Sequence, residues 1–203
     1  MNEKRNRRII LASTSPRRQE LIASLRIPFE IMPSEADEDT PQGWSPERIV
    51  ESLALRKAEA VLRKLTDDPG DGIIVGSDTI VVVDDHVLGK PGDHADAARM
   101  LSMLQGRAHF VYTGVACIDR SSGRAKVSHR VTTVKMKSLS DDAIAAYVKS
   151  GEPADKAGSY AIQGLGATIV EGIEGDYFNV VGLPLSLLSD MLSEMGMDVL
   201  TDS

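Results

Sequence analysis

The chain has 203 residues, with 23 Lys and Arg against 30 Asp and Glu, a formal charge of −7. With 42% apolar and 26% charged residues it has too much core-forming material for a disordered chain, and its net charge gives no global pull toward nucleic acid or anionic lipid. A single cysteine, Cys117, excludes a disulfide-stapled scaffold and makes a reducing cytoplasm the expectation.

The start is basic (Lys4, Arg5, Arg7, Arg8), but the apolar run that follows is only Ile9 to Ala12, too short for the core of a signal peptide. No stretch approaches the ~18 apolar residues of a bilayer span. Residues 8–12 read as a buried strand. Ser15-Pro16 then opens a helix, a hydroxyl residue at the cap and proline in the first turn, with Leu21, Ile22 and Leu25 on its apolar side. Phe29 to Met32 reads as a second strand, and the acidic, Pro/Gly-punctuated residues 33–43 as a loop. Ser45-Pro46 repeats the cap and opens a long helix to about Leu65, whose stripe is Ile49, Val50, Leu53, Ala54, Ala58, Val61, Leu62 and Leu65.

After a loop at Asp67 to Gly72, Ile73–Val75 and Ile80–Val83 read as β-branched runs interrupted by Gly76-Ser77-Asp78-Thr79, followed by a hairpin turn at Asp84-Asp85. A helix is expected over about 94–104, with Ala97, Met100, Leu101 and Leu104 inward. Strands follow at about 109–118 and 125–135, joined by Ser121-Ser122-Gly123; within the first, Cys117 reads as a small buried hydrophobe rather than a nucleophile. Ser140 starts a helix to about Val148, with acids in its first turn. Residues 151–166 are polar and glycine-rich. Strands near 167–171 and 177–181 and a helix from about Pro184 to Met195 complete a mixed α/β pattern without internal repeats.

Several segments carry chemistry. Ser13-Thr14-Ser15-Pro16-Arg17-Arg18 joins a strand end to a helix start, where backbone N–H groups, hydroxyls and two guanidiniums suit phosphate oxygens; capping plus two solvated arginines is the alternative. Asp78 stands among apolar residues after a central-looking strand and needs a partner if buried: it offers a metal ligand or a general base, or else a local Asx turn. Lys57 borders the apolar stripe of its helix, while Arg63 and Lys64 look outward; it either snorkels or reaches a phosphate. Pro91 aims Lys90. Glu35, Asp37, Glu38 and Asp39 form a solvated loop unless they face Asp78, in which case two carboxylates can share a hard cation. Gln163, beside Gly164 and Gly166, presents an amide that matches a base edge where backbone passes closely. Asn179 lies between apolar residues near a helix start. The four histidines make no HExxH or Cys/His pair, so zinc is not expected, nor are a GxSxG elbow or a dinucleotide fingerprint present; carboxylate ligands favour Mg²⁺ or Mn²⁺.

Taken in order, Leu11 to Leu21, Gly76-Ser77-Asp78-Thr79, Leu88-Gly89-Lys90-Pro91, Gly106 with His109 and Thr113, Asp155-Lys156-Ala157-Gly158, Ile162-Gln163-Gly164 and Val181-Gly182-Leu183-Pro184 resemble the Maf family of nucleoside triphosphate pyrophosphatases, over about residues 8–195. The resemblance implies one domain over 1–203: an elongated twisted mixed sheet flanked by helices, in two lobes around a deep cleft, of the Maf/ITPase-like kind and commonly homodimeric. It implies hydrolysis of a nucleoside triphosphate to the monophosphate and pyrophosphate with a divalent metal. Residue by residue, Ser13, Arg17 and Arg18 match the phosphate-binding corner, and Glu38, Lys57, Asp78 and Lys90 the catalytic and metal set, with Glu38 and Asp78 as ligands; Asp37 and Glu35 compete with Glu38 for register. Arg17, Thr79 and Gln163 resemble the branch acting on dTTP and UTP, and the 7-methyl-GTP branch and a nucleotide-binding regulator of septation are the alternatives. The resemblance leaves open whether His109 and Lys156 touch ligand or hold the fold.

Overall fold

The structure is a computed structural model that describes residues 7–65 and 70–202. Lys4, Arg5 and residues 67–69 of the expected loop lie outside the described residues. In chain order the elements are β1 (Arg8–Leu11), α1 (Pro16–Ser24), β2 (Phe29–Ile31), α2 (Pro46–Lys64), β3 (Gly72–Val83), β4 (His86–Leu88), α3 (His94–Leu104), β5 (Ala108–Asp119), β6 (Ala125–Met136), α4 (Asp141–Lys149), β7 (Val170–Glu174), α5 (Tyr177–Val181), α6 (Leu185–Ser193) and α7 (Val199–Asp202). Three short 3₁₀ turns, Glu152–Asp155, Ala157–Ser159 and Gly164–Thr168, fill the glycine-rich stretch. The strands form one seven-stranded mixed sheet in the order β2-β1-β3-β5-β6-β7, with β4 paired to β3. β1 runs parallel to both β2 and β3; β4 is antiparallel to β3, and β7 to β6.

The chain divides into two compact units. The first comprises residues 1–78, 113–129 and 182–203, and the second residues 79–112 and 130–181. In the first, α2 lies on the sheet through Ala54, Ala58 and Val61 against Ile10, Ile74, Ala116 and Ile118. Two glycines permit that approach. A Cβ on Gly76 of β3 would lie 2.2 Å from the Ala54 carbonyl oxygen, and one on Gly114 of β5 would lie 2.2 Å from that of Val50. Small residues on both surfaces bring helix and strand backbones together, which fixes where the next turn of α2 meets β3. In the second unit α3 and α4 bury Met100, Leu101, Leu104, Ile144 and Tyr147 with Val111, Val134 and Met136 of the sheet.

Most of the expected elements form, and the corrections are informative. Gly76-Ser77-Asp78-Thr79 does not interrupt a strand: β3 runs through it for 12 residues. Turn-forming side chains stay in the strand because tertiary partners satisfy them, Ser77 Oγ donating to the Gly182 carbonyl at 3.1 Å and Asp78 accepting from Lys57. Residues 177–181 are a helix, not a strand. Asp176 Oδ1 accepts the Phe178 N–H at 2.8 Å and starts the turn, and Asn179 Nδ2 donates to the Val111 carbonyl at 3.0 Å and to Thr132 Oγ1 at 2.9 Å. The strand expected near 167–171 forms at Val170–Glu174, after a 3₁₀ turn that takes up residues 164–168. The turn at Asp84-Asp85 is as expected; both residues have positive φ, +47° and +62°, as a two-residue I′ hairpin requires. Cys117 is fully buried, and burial pushes its thiol pKa up to about 12.

Candidate active site

The first unit concentrates charge where β1, α1, α2 and β3 meet. β1 ends at Leu11 and α1 begins at Pro16. Ser15 occupies the cap position, but its side chain makes no capping bond; Ser13 Oγ instead accepts the Ser15 N–H at 3.2 Å. Ser15-Pro16 thus opens the helix as expected, with the Ser15 side chain left out of the cap and a Ser13 turn before it. The first turn of α1 carries no acid, whereas α2, α3 and α4 carry Glu47, Asp96 and Asp141 with Asp142 there. A helix start without its own acid keeps its positive end for an external anion.

Arg17 and Arg18 follow, both half-buried. Arg18 Nε donates to the Gly182 carbonyl at 2.7 Å, the same oxygen that Ser77 holds. Burial draws the Arg18 pKa below its ordinary value; Asp78 opposes this, Arg17 adds to it, and Glu38 opposes it. The guanidinium and these two carboxylates thus act on one another's charge.

Lys57 is the hub. It lies one turn beyond Ala54 on α2, next to the point where Gly76 admits the helix backbone, and Asp78 is two residues along β3 on the same face. Lys57 Nζ donates to Asp78 Oδ1 at 2.6 Å and contacts Glu38 Oε1 at 2.8 Å. Asp78 is 9% exposed, so its charge is shielded from water and depends on this partner. Lys57 therefore does not merely snorkel, and Asp78 is not merely an Asx turn.

The acidic loop is fastened to α2 in register. Arg56 Nη1 donates to the carbonyls of Asp37 (3.3 Å) and Asp39 (2.6 Å), and Lys64 Nζ donates to the Pro33 carbonyl at 3.2 Å and contacts Glu35 at 3.3 Å. Asp37 Oδ1 accepts the Asp39 N–H at 2.9 Å. The loop acids are thus engaged differently: Glu35 goes to Lys64, Asp37 closes its own turn, and Glu38 faces Lys57. Lys64 reaches the loop rather than simply pointing outward. Arg48 stacks on Trp44 with its guanidinium carbon 4.1 Å from the ring centroid, anchoring the far end of the loop. Sequence reasoning passed over Arg56, Arg48 and Trp44; the signal was a row of basic residues on a helix preceded by an acidic loop.

Among the described residues no group of three or more His, Cys, Asp and Glu is placed to hold a metal ion. The donor set still fits a hard divalent cation. Glu38 and Asp78 already converge on one cationic atom, and magnesium takes one or two protein carboxylates with water and substrate phosphate completing its shell.

Thr79, Lys90 and Gln163 belong to the second unit. Thr79 and Gln163 are half-buried and Lys90 is exposed. The loop carrying Lys90 is held from behind: the Gly89 carbonyl accepts the Gly158 N–H at 3.0 Å, and a Cβ on Gly158, at φ +69°, would lie 2.9 Å from the Val81 side chain. Asp155-Lys156-Ala157-Gly158 is thus a brace for the Lys90 loop. Lys156 Nζ donates to the Glu152 carbonyl at 2.9 Å and to Asp155 at 2.7 Å. His109 is buried, with Nε2 2.7 Å from Tyr160 Oη, and burial lowers its pKa to about 4. Both side chains are engaged by neighbours within the second unit. So is Asn179, through Val111 and Thr132.

A family model described as Maf-like protein matches residues 8–195, and the chain belongs to that family. A relative from Moorella thermoacetica named dTTP/UTP pyrophosphatase is 52% identical over 192 residues, covering 95% of this chain and 97% of its own. Another of the same name, from Desulforamulus reducens, is 49% identical over 193 residues, covering 95% and 99%. A solved structure of a nucleoside-triphosphatase (dITP/XTP pyrophosphatase) from Mycobacterium abscessus is similar at a TM-score of 0.42 and 16% identity, covering 93% of this chain and 94% of that one.

Proposed function

We propose that this protein hydrolyses dTTP and UTP, with related modified pyrimidine nucleotides, to the nucleoside monophosphate and pyrophosphate. The observation that carries the reading is the Glu38–Lys57–Asp78 cluster beside Arg18: two carboxylates held on one ammonium next to a guanidinium. The substrate class is supported by relatives about half identical over 95% of the chain whose names are dTTP/UTP pyrophosphatase.

Ser13, Arg17, Arg18 and Lys57 take phosphate oxygens, joined by Lys90. Asp78 has Oδ1 committed to Lys57, which leaves Oδ2 to accept a proton from the attacking water. The water oxygen bonds to the α-phosphorus, the bond from that phosphorus to the bridging oxygen breaks, and pyrophosphate leaves. Negative charge moves onto the leaving oxygens in the transition state, so the fixed cations bind it more tightly than the ground state. Glu38 and Asp78 would hold Mg²⁺ or Mn²⁺, which supplies neutralisation of phosphate charge and a lowered pKa for bound water. Thr79 and Gln163 serve the nucleoside, the Gln163 amide matching the donor and acceptor of a uracil or thymine edge. The whole chain is read as one Maf-like domain acting in the cytoplasm as a homodimer, with no nucleic-acid polymer as partner. Among the described residues no helix is long and apolar enough to cross a membrane.

Incubation of the pure protein with dTTP, UTP, CTP and 7-methyl-GTP, each with Mg²⁺ or Mn²⁺, tests the reading. Pyrophosphate release from the first two, abolished in Asp78→Asn, is the expected result. Preference for 7-methyl-GTP moves the protein to the other branch. Nucleotide binding without turnover makes it a regulator, and orthophosphate as the only immediate product makes it a phosphatase.

A further inference from the structure

Gln163 carries the choice of base in the function proposed above, and two side chains that function does not use hold its loop from both sides. Tyr147, buried on α4, accepts the Ala161 N–H on its Oη at 3.1 Å and donates to Glu152 Oε1 at 2.8 Å. The same Glu152 carboxylate accepts the Gly166 N–H at 2.8 Å on Oε1 and the Leu165 N–H at 2.9 Å on Oε2. The anchored amides lie two residues before Gln163 and two and three residues after it.

The glycines are placed to let the backbone wrap these groups. Gly164 has φ +63°, and a Cβ there would lie 2.6 Å from Glu152 Oε2. A Cβ on Gly166 would lie 2.0 Å from the Ala161 carbonyl oxygen and 2.7 Å from Tyr147 Oη. Burial alone would raise the Glu152 pKa, but bonds from Tyr147, Gly166 and Leu165, with the charge of Lys156, hold it below the ordinary carboxylate value. The carboxylate is therefore charged at neutral pH and a strong acceptor for backbone N–H groups. The Gln163 side chain makes no capping bond to the 3₁₀ turn that follows it.

We propose that Tyr147 and Glu152 are positioning residues for base selection, clamping the Ala161–Gly166 loop so that the Gln163 amide meets a uracil or thymine edge. The inference rests on Gln163 reading the base. A side-chain amide discriminates between bases only if its two atoms arrive within about half an ångström of their partners, and a free loop does not deliver that.

The test compares wild type, Glu152→Gln, Tyr147→Phe and Gln163→Ala with dTTP, UTP and CTP in Mg²⁺, and with inorganic tripolyphosphate as a competitive inhibitor that has no base. Glu152→Gln is expected to raise KM for dTTP and UTP about tenfold and to lower the preference over CTP by a similar factor, about the cost of one oriented hydrogen bond. Inhibition by tripolyphosphate stays unchanged, and amide deuterium exchange accelerates at residues 161–166. Combined with Gln163→Ala, Glu152→Gln adds no further loss of preference. Tyr147→Phe removes the hydroxyl from Ala161 and Glu152 yet keeps the ring, so it carries the same test if Glu152→Gln does not fold. Unchanged preference in both clamp variants, while Gln163→Ala loses it, overturns the clamp and leaves the substrate assignment standing. Equal loss of tripolyphosphate inhibition reduces the clamp to general stability and overturns it as a positioning device. A wild type that releases no pyrophosphate from dTTP or UTP overturns the substrate assignment, and the clamp's role with it.

Discussion

The two units differ in the ion pairs their interiors hold. The first has two clusters beside neutral hydroxyls such as Ser77: Lys57 between Glu38 and Asp78, with Arg18 close by, and at the other end of the sheet Arg7 between Asp71 and Asp119. In the second, the buried polar side chains are mostly neutral hydrogen-bonding groups: His109 with Tyr160, and Asn179 donating to Val111 and Thr132. Glu152 is the exception, and its charge is spent on backbone N–H groups rather than on a side-chain cation. Buried charge is costly to desolvate and strengthens every interaction with an incoming ion. Neutral hydrogen bonds add little field but fix geometry.

The sharpest way to break that contrast is to remove a charge without changing shape. Asp78→Asn is expected to lower kcat for pyrophosphate release about a thousandfold, within the range of a lost general base. A tenfold effect or less would mean that the carboxylate charge is not the working part. Gly76→Ala asks whether the charged cluster depends on close helix–strand contact. The new Cβ would meet the Ala54 carbonyl oxygen at 2.2 Å, so a loss of about 3 kcal/mol in urea unfolding is expected, with activity falling alongside.

Acid should sort the units by pH. His109 has its folded pKa lowered from 6.5 to about 4 by burial, so its neutral form stabilises the fold fully above pH 6.5, and this is lost as pH falls toward 4. The loss is about 3 kcal/mol over that window, and His109→Gln should flatten it in urea midpoints measured against pH. Asp119 titrates lower. Burial pushes its carboxyl up, but bonds from Ser121, Ser122 and Arg7 outweigh this and hold it well below 3.8. Its contribution is present above the ordinary carboxylate pKa and is lost only as pH falls further, a step that Arg7→Ala should diminish while the Ser121 and Ser122 bonds keep the rest. Least of all, Ser140→Ala deletes a cap that accepts the Ala143 N–H at 3.2 Å, and should cost about 1 kcal/mol while leaving kcat unchanged.

Much of the first unit was legible in its sequence because its signals are local. Ser45-Pro46 and the apolar stripe of α2 specify that helix, and an aspartate among β-branched residues specifies a partner without naming it. The second unit was harder. Tyr177 to Val181 reads as a strand by composition and becomes a helix because Asp176 accepts the Phe178 N–H to start the turn and Asn179 finds partners on neighbouring strands. Tyr147 and Glu152 carried no signal at all, since one looks like core and the other like a solvated acid.

The amino-acid order alone determined the mixed α/β class, the long helices and their buried faces, and the candidate residues Ser13, Arg17, Arg18, Glu38, Lys57, Asp78, Lys90, Thr79 and Gln163. Periodicity and capping are properties of neighbouring residues, so they survive without coordinates. Only the tertiary structure decided that Glu38, and not Asp37 or Glu35, faces Lys57, that Gly76 to Thr79 stays in a strand, and that His109 meets Tyr160 and Lys156 meets Glu152 and Asp155. Each of those outcomes depends on which distant group satisfies a polar atom, and sequence spacing does not encode distance across a fold.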